Sequence, residues 1–297
     1  MRVNPNLTAT VIDGIQQSDQ ALQTAYREVT TGQKVNQPSD NPAASAAYMT
    51  LQAESANIDQ YSTNASTALS QAQTADSVLT SIVSLLNSAI TVGTEGANST
   101  TSASDRTALS ANVTGILANI VSLANTTFGG VALFGGTATG ATAFTADASS
   151  STGYTYNGNS TADQIPIGDS LKVQVNIPGD TLFTNPKASV LGAVSGLASA
   201  LASGNSASIG AATTNITAAL NYVSQQHVVY GSTINHLNSQ EEYLAQEKIT
   251  LTSQETSLVG VDAATAAENL AQAEVANSAV YTASAKVLQN NLLTYLR

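Results

Sequence analysis

The sequence predicts a mainly α protein: a long helical bundle or coiled-coil rod with paired terminal helices and a small inserted antiparallel β domain. Three observations carry this. Ile216, Val223, Tyr230, Leu237, Leu244, Leu251 and Leu258 put a large apolar residue at every seventh position. A strict seven-residue repeat favours a left-handed coiled seam. Leu51, Ile58, Ala65, Ala72, Leu79 and Leu86 form a second such line, so two helices of matching length can lie side by side. Between them, from Asn125, glycines punctuate short segments and the apolar period falls to two, the signature of strands.

Taken in order, the first helix is expected over about residues 6–31, with Ile12, Ile15, Leu22, Tyr26 and Val29 on one seam that is broken only at Asp19. Gly32 is a natural stop, because it takes a left-handed backbone at no steric cost. Pro38 makes helix unfavourable at Gln37. Ser39, Asp40 and Asn41 all offer cap oxygens, and Pro42 suits a first helical position, where no N–H is needed. The second helix is expected from Pro42 to about Val92, with Leu69, Val83 and Ile90 as its second apolar line. Gly93 to Ser102 reads as a turn. Ser104 or Asp105 can cap a third helix with Leu109, Val113, Ile116, Leu117, Ile120 and Leu123 inside. In the glycine-rich stretch, Asn157-Gly158 after Tyr154-Thr155-Tyr156 is a hairpin signal. Leu171, Val173, Val175 and Ile177 alternate with polar residues. Asn185-Pro186 restarts helix, with Val190, Leu191, Val194, Leu197 and Leu201 inside, and Gly204-Asn205 breaks it. The long helix over about 208–258 follows. Gly260 stops it and Asp262 caps the last helix, whose line is Ala266, Leu270, Ala273, Val280 and Val287.

The organisation expected is therefore residues 1–41 as N-terminal helix and turn, and 42–127 as the first part of the helical rod. Residues 128–185 form the β-rich insert, 186–261 the second part of the rod, and 262–297 the C-terminal helix. The terminal helices flank the rest of the chain and lack a third partner, so they are expected to pair with each other and to offer subunit-contact surface. The residues assigned to that surface are Ile12, Ile15, Leu22, Tyr26, Val29, Val280, Val287, Leu288, Leu292, Tyr295 and Leu296.

Composition narrows the function. The 297 residues include no cysteine, so disulfides and thiolate metal sites are excluded. The formal net charge is -11. Between Arg106 and Lys248 the only Lys or Arg residues are Lys172 and Lys187, so no basic cluster exists to displace the counterions of a nucleic acid or to engage an anionic membrane. No apolar run follows Met1-Arg2-Val3-Asn4-Pro5, which predicts no cleaved signal peptide, and no stretch is expected to come near a membrane span. Charged residues are only 10% of the chain, well below the usual quarter. Small uncharged residues in their place suit helices that pack on several sides; they also suit a low-complexity secreted polar protein, and composition alone does not choose.

No constellation of reactive side chains emerges. His227 and His236, the only two histidines, are nine apart and face opposite sides of one helix, so they cannot share a metal within a chain. Glu241, Glu242, Glu247 and Glu255 read as a solvated or partner-facing edge rather than an acid–base pair, which needs a cleft. Gly129-Gly130 and Gly135-Gly136 lack the order of a dinucleotide fingerprint, and no Gly-Lys pair exists for a phosphate loop. No catalytic residue, metal site or cofactor is predicted.

The stretch Thr31-Gly32-Gln33-Lys34-Val35-Asn36-Gln37-Pro38-Ser39-Asp40-Asn41-Pro42 resembles the turn of the bacterial flagellin superfamily, with Gly32, Lys34, Val35, Asn36, Pro38, Ser39, Asp40 and Pro42 as its signature. Lys34 replaces the usual arginine and Asn41 the usual second acid. The resemblance continues at Leu123 to Gly130 and Leu133 to Thr137, and returns at Val287-Leu288-Gln289 and Leu292 to Arg297. The segments Tyr154 to Asn159 and Val175 to Phe183, with the Asn36-Gln37-Pro38-Ser39-Asp40 form of the turn, resemble the hook–filament junction branch more than the filament flagellins. The resemblance implies a structural, non-enzymatic protein of the bacterial flagellum that self-assembles through its terminal helices. It implies an extracellular location reached through the flagellar secretion channel without a cleaved signal. The partners implied are copies of itself, hook-associated protein 1, flagellin and an export chaperone, with no nucleic acid and no membrane. The alternatives are a compact filament flagellin and, further off, a secreted adhesin-like polar protein.

Overall fold

The computed structural model describes residues 7–295, with side chains from 9 to 287. Its helices are α1 (Leu7–Thr31), α2 (Pro42–Ala97), α3 (Ala103–Ala124), α4 (Gly179–Phe183), α5 (Val190–Ser203), α6 (Ser206–Val259) and α7 (Ala263–Tyr295). The strands are short: β1 (Thr127–Phe128), β2 (Val131–Ala132), β3 (Phe144–Ala146), β4 (Tyr154–Tyr156), β5 (Gln164–Pro166) and β6 (Lys172–Gln174). They pair antiparallel as β1–β2, β3–β4 and β5–β6, three two-stranded sheets rather than one. The fold is thus mainly α with a small β-rich insert. The chain forms two compact units, Ile58–Ala245 and the two terminal stretches Met1–Asn57 with Gln246–Arg297.

Within Ile58–Ala245 the core follows the heptads. On α6, Ile216, Val223, Tyr230, Leu237 and Leu244 are all buried. On α2, Ala65, Ala72, Leu79 and Leu86 are fully buried, and so are Ala68, Ala75, Ile82 and Ala89. That second buried line replaces the expected Leu69, Val83 and Ile90, which flank it half-buried. The wholly buried line is mostly alanine, and the larger side chains lie at its edges.

The same seam carries α2 past its expected end at Val92. Gly93 and Gly96 continue the 3-4 spacing inside the helix instead of forming a turn. A Cβ on Gly93 would collide with the Thr213 hydroxyl and press on Leu197, and one on Gly96 would collide with the end of Leu201. These glycines leave room for side chains of the neighbouring helices. Arg106, from the first turns of α3, then ties three helix ends together: its Nε donates to the Gly96 carbonyl (3.2 Å) and its Nη1 to that of Gly204 (3.3 Å). Both carbonyls lie in or just past a last helical turn, where acceptors lack intrahelical partners and a cation is favoured.

Two caps differ from expectation. Ser102, not Ser104 or Asp105, caps α3: its hydroxyl accepts from Asp105 N (3.1 Å) while the Asp105 carboxylate accepts from Ser102 N (3.3 Å), a reciprocal capping box. Helix α5 starts at Val190 rather than after Asn185-Pro186, because Asn185 Oδ1 closes a local turn on Lys187 N and Ser189 supplies the cap to Gly192 N.

The insert is organised by aromatics. Phe183 meets Phe134 and Phe144 edge-on, at 5.2 and 5.5 Å between ring centres, and Phe144 lies against Tyr156 at 5.1 Å. Asn157-Gly158 makes no hairpin turn, since β4 pairs backward with β3, Tyr156 opposite Phe144. Asn157 N–H continues that ladder to the Ala143 carbonyl (2.8 Å). Asn125, at the end of α3, holds β3 with three bonds: its Oδ1 accepts from Ala143 N and Phe144 N, and its Nδ2 donates to the Phe144 carbonyl. The insert docks on the long helices through Tyr230, whose hydroxyl accepts from Ile177 N (3.0 Å), and through Gln240 Nε2 and Asn64 Nδ2, which donate to the Ile167 and Pro166 carbonyls. Burial of the Tyr230 phenol pushes its pKa well above the ordinary range.

α2 and α3 are each long and apolar enough to cross a membrane by length and composition, which corrects the expectation that no stretch comes near a span. Ala, Val, Ile and Leu raise the average hydropathy, while interspersed Ser, Thr and Asn prevent a visible apolar run. In this fold both contribute to the core, α2 through the seam described above and α3 through Val113, Ile116, Leu117, Ile120, Val121 and Ala124.

Candidate assembly surface

In the unit formed by the terminal stretches, α1 and α7 run antiparallel. Asp19 meets Asn277, and Glu28 meets Asn269. The shared seam buries Ala25, Ala266 and Ser284, with Ile15, Leu22, Leu270, Ala273, Asn277, Val280 and Val287 half-buried along it. Small residues at the centre let the two helices approach closely.

The turn between α1 and α2 fastens this pair. Gly32, at φ +67°, ends α1 with its N–H on the Glu28 carbonyl (2.9 Å). The next residues are not free loop. Gln33 forms a single antiparallel bridge with Gly260, flanked by Lys34 N to the Val259 carbonyl (2.7 Å) and Val261 N to the Gly32 carbonyl (3.0 Å). Val35 is buried with Ala44 and Val259, under Tyr48 and Leu258. Lys34 Nζ reaches the Ser257 carbonyl (3.5 Å). Asn36 Nδ2 donates to the Gln33 carbonyl (2.7 Å), and the Asp40 carboxylate accepts from Asn36 N and Gln37 N (3.0 and 2.9 Å). Of the three candidate caps it is Asn41 whose Oδ1 accepts from Ala44 N (3.0 Å), starting α2 at Pro42. Pro38 and Ser39 stay on the surface. The signature residues thus build a clasp between the end of α1 and the α6–α7 connection. Its other half, Val259 to Val261, carries no signal in the sequence beyond Gly260 as a helix stop.

The residues assigned to the contact surface divide into groups. Ile15, Leu22, Val280 and Val287 lie half-buried along the α1–α7 pair. Ile12, Tyr26 and Val29 stand out from it, 49%, 50% and 43% exposed. Leu288, Leu292 and Tyr295 belong to α7 but their side chains lie outside the described residues, as does Leu296 altogether. Two exposed apolar residues of α7, Val275 (71%) and Tyr281 (48%), are not on the expected seam. Their pattern gives no warning, since each lies off the apolar line of the helix. Tyr281 donates its hydroxyl to the Asp19 carboxylate, which raises its pKa. Among the described residues no group of three or more His, Asp and Glu could hold a metal. His227 Nε2 lies 2.7 Å from the Asp76 carboxylate and 3.4 Å from the Thr80 hydroxyl, a pair between two packed helices.

Residues 3–139 match the bacterial flagellin N-terminal helical region. No curated protein matches the chain in sequence. Solved structures do match in fold. A protein assigned as a flagellar hook-associated protein from Vibrio parahaemolyticus superposes with a TM-score of 0.67 at 22% identity, over 74% of this chain and 100% of that one. Flagellar hook-associated protein 3 from Legionella pneumophila gives 0.62 at 16% identity, over 71% and 98%. Bacillus cereus FlgL gives 0.59 at 19%, over 70% and 99%. Over residues 3–139 the chain is thus similar to the flagellin N-terminal helical region, and its fold is like that of the solved hook-associated proteins.

Proposed function

We propose that this chain is a structural component of the bacterial flagellum that forms the junction between hook and filament. It assembles through its terminal helices and performs no catalysis. The observation that carries the reading is the α1–α7 pair, which leaves Ile12, Tyr26, Val29, Val275 and Tyr281 in solvent. Two paired helices cannot enclose all their apolar side chains, and burying one such side chain is worth roughly 1.5–3 kcal/mol. Contact with a neighbouring copy would recover that energy. The hook-associated fold and the flagellin N-terminal region support the flagellum as the assembly to which the copies belong.

On this reading residues 1–41 and 262–297 form the assembly domain, 42–127 and 186–261 the helical body, and 128–185 an outer β-rich domain. Hook-associated protein 1 lies on the hook side and flagellin on the filament side. An export chaperone covers the terminal helices before secretion, and the chain travels through the flagellar channel to the cell exterior. The test is the position of the tagged protein on isolated flagella. Label confined to the hook–filament border supports the reading. Label along the whole filament would make it a compact flagellin, and label absent from flagella would overturn it.

A further inference from the structure

Asp19 is the one charged residue in the apolar seam of α1, and the structure gives it partners. Its carboxylate accepts from Asn277 Nδ2 (2.7 Å) and from the Tyr281 hydroxyl (3.2 Å to the nearer oxygen). Farther along, the Glu28 carboxylate meets Asn269 Nδ2 in a longer contact of 3.5 Å. Both acids of α1 that face α7 meet amides. We propose that Asp19, held by Asn277 and Tyr281, is the residue that sets the register of the terminal helix pair. The inference rests on the pairing of α1 with α7 and not on the flagellar role.

The possible registers differ in what they offer Asp19. The apolar line of α7 recurs every seventh residue at Ala266, Ala273, Val280 and Val287. Sliding α7 by one heptad, about 10 Å, therefore still presents an apolar line to α1. The wholly buried positions of the seam, Ala25, Ala266 and Ser284, are small and resist such a slide weakly, and the larger Leu22, Leu270 and Val280 are only half-buried. The pair of donors that holds Asp19 does not recur. A slide in one direction brings Leu270 and Glu274 to the places of Asn277 and Tyr281, so the Asp19 carboxylate loses both donors and gains a second carboxylate beside it. The same slide brings Asp262 to the place of Asn269, opposite Glu28. A slide in the other direction brings Ser284, Leu288 and Ala276 to those three places. Only the observed register supplies donors to both acids. A single polar residue in an apolar seam is the best-attested way to fix the alignment of paired helices. The bridge between Gln33 and Gly260 pins the pair at its base, and Asp19 lies twelve residues before the end of α1, about 18 Å along it. Asp19 and its donors hold alignment where the bridge no longer reaches.

The cysteine-free chain allows a direct test. Three double-cysteine variants of the full chain are made: Leu22→Cys with Ala273→Cys for the observed register, and Leu22→Cys with Ala266→Cys or with Val280→Cys for the two slipped ones. Each is treated with a thiol crosslinker shorter than one heptad of helix. In the parent chain the observed-register pair should crosslink in preference to either slipped pair by about tenfold, the ratio set by losing one hydrogen bond to a charged group. Asp19→Asn keeps an acceptor oxygen but no charge, and should keep the observed register preferred, by a smaller ratio of about threefold. Asp19→Leu makes the seam apolar throughout and should bring a slipped pair up to the level of the observed one. Retained preference in Asp19→Leu would mean that the bridge alone fixes the register. Lost preference in Asp19→Asn, or loss of all three crosslinks in Asp19→Leu, would mean that Asp19 acts otherwise than as a hydrogen-bonded register mark. Each of these results overturns the proposal. None bears on where the protein sits on the flagellum.

Discussion

The glycines of α2 offer the sharpest test of how the core is built. Gly93→Ala adds one methyl to a helix interior, where alanine is favoured over glycine by about 1 kcal/mol. In this helix the methyl has no room. It would meet the hydroxyl of Thr213, which is itself bonded to the Ile209 carbonyl at 2.8 Å, and both Leu197 methyls at 3.3 Å. Overpacking of this kind costs typically about 1–3 kcal/mol. The helix gain and the packing loss oppose each other, so the net expected effect is a destabilisation of up to about 2 kcal/mol. Gly115→Ala is the internal control. Gly115 also lies inside a helix, on α3, but a Cβ there meets nothing within 4 Å. It should gain roughly 0.5–1 kcal/mol with nothing to offset it. The two variants should therefore separate by about 2 kcal/mol, or roughly 4–8 °C in melting temperature for a unit of this size. Far-ultraviolet circular dichroism melts of the purified chains read this directly. Equal stabilisation by both substitutions would show that α2 has space at Gly93, and the account of Thr213 and Leu197 as filling it would be wrong.

Three further expectations follow from particular contacts. Tyr230→Phe leaves the buried Ile177 N–H without an acceptor, which costs about 1–3 kcal/mol; hydrogen exchange at the Ile177 amide should accelerate accordingly, and unchanged protection would mean that the insert is held elsewhere. Tyr26→Ser with Val29→Ser changes two exposed residues of α1, so the monomer's melt should stay within about 0.5 kcal/mol while electron microscopy of the mutant cells shows hooks without filaments; normal filaments would remove this face from the assembly surface. The Asp147 carboxyl is held at about 2 by the Ser149 hydroxyl, the Thr155 hydroxyl and Ser149 N–H. Its folded pKa lies below its ordinary 3.8, so its contribution is complete above 3.8 and lost as pH falls through 2. The Ser149 amide resonance should thus move only at that acid end, and Asp147→Asn should abolish the movement.

Much of this architecture is legible because heptads are local and strict. Ile216, Val223, Tyr230, Leu237 and Leu244 announce a buried line by their spacing alone, and they are buried. The failures share a cause: each turns on what a residue does at long range. Gly93 and Gly96 look like breakers until Leu197, Leu201 and Thr213 are beside them. Ala68 and Ala75 carry no signal against the larger Leu69, yet they are the ones fully buried. Asn157-Gly158 has the composition of a hairpin turn, but the Tyr156 hydroxyl occupies the place of a Gly158 side chain, within hydrogen-bond distance of the Phe134 and Asn159 carbonyls. On the candidate surface, the turn residues are legible as a stop and a start. Their partner Val259–Val261, more than two hundred residues away, leaves no local mark. Asp19 is visible only as a fault in a pattern, because its donors stand on another helix.

The low charge of the chain has a structural counterpart in its hydroxyls. Along the exposed side of α2, Thr63, Thr67, Ser70, Thr74, Thr80, Ser81, Ser88, Thr91 and Thr94 each donate to the carbonyl four residues earlier. On α6, Thr214, Thr217, Thr233, Thr250 and Thr252 do the same. Such a bond satisfies the hydroxyl donor within its own helix. A face of Lys and Glu keeps its polar groups hydrated, and covering it means stripping water from charges at a cost of several kcal/mol per unpaired ion. A face of back-bonded hydroxyls and alanines has its donors already paired and its side chains short. It is wettable in the free chain and inexpensive to cover by a neighbour. A protein that only had to stay soluble would gain nothing from replacing charges by threonine in this way. One whose helices are to be covered on several sides gains a surface compatible with both states, and this is the physical sense in which a composition of 10% charged residues fits an assembling helical protein better than a low-complexity secreted one.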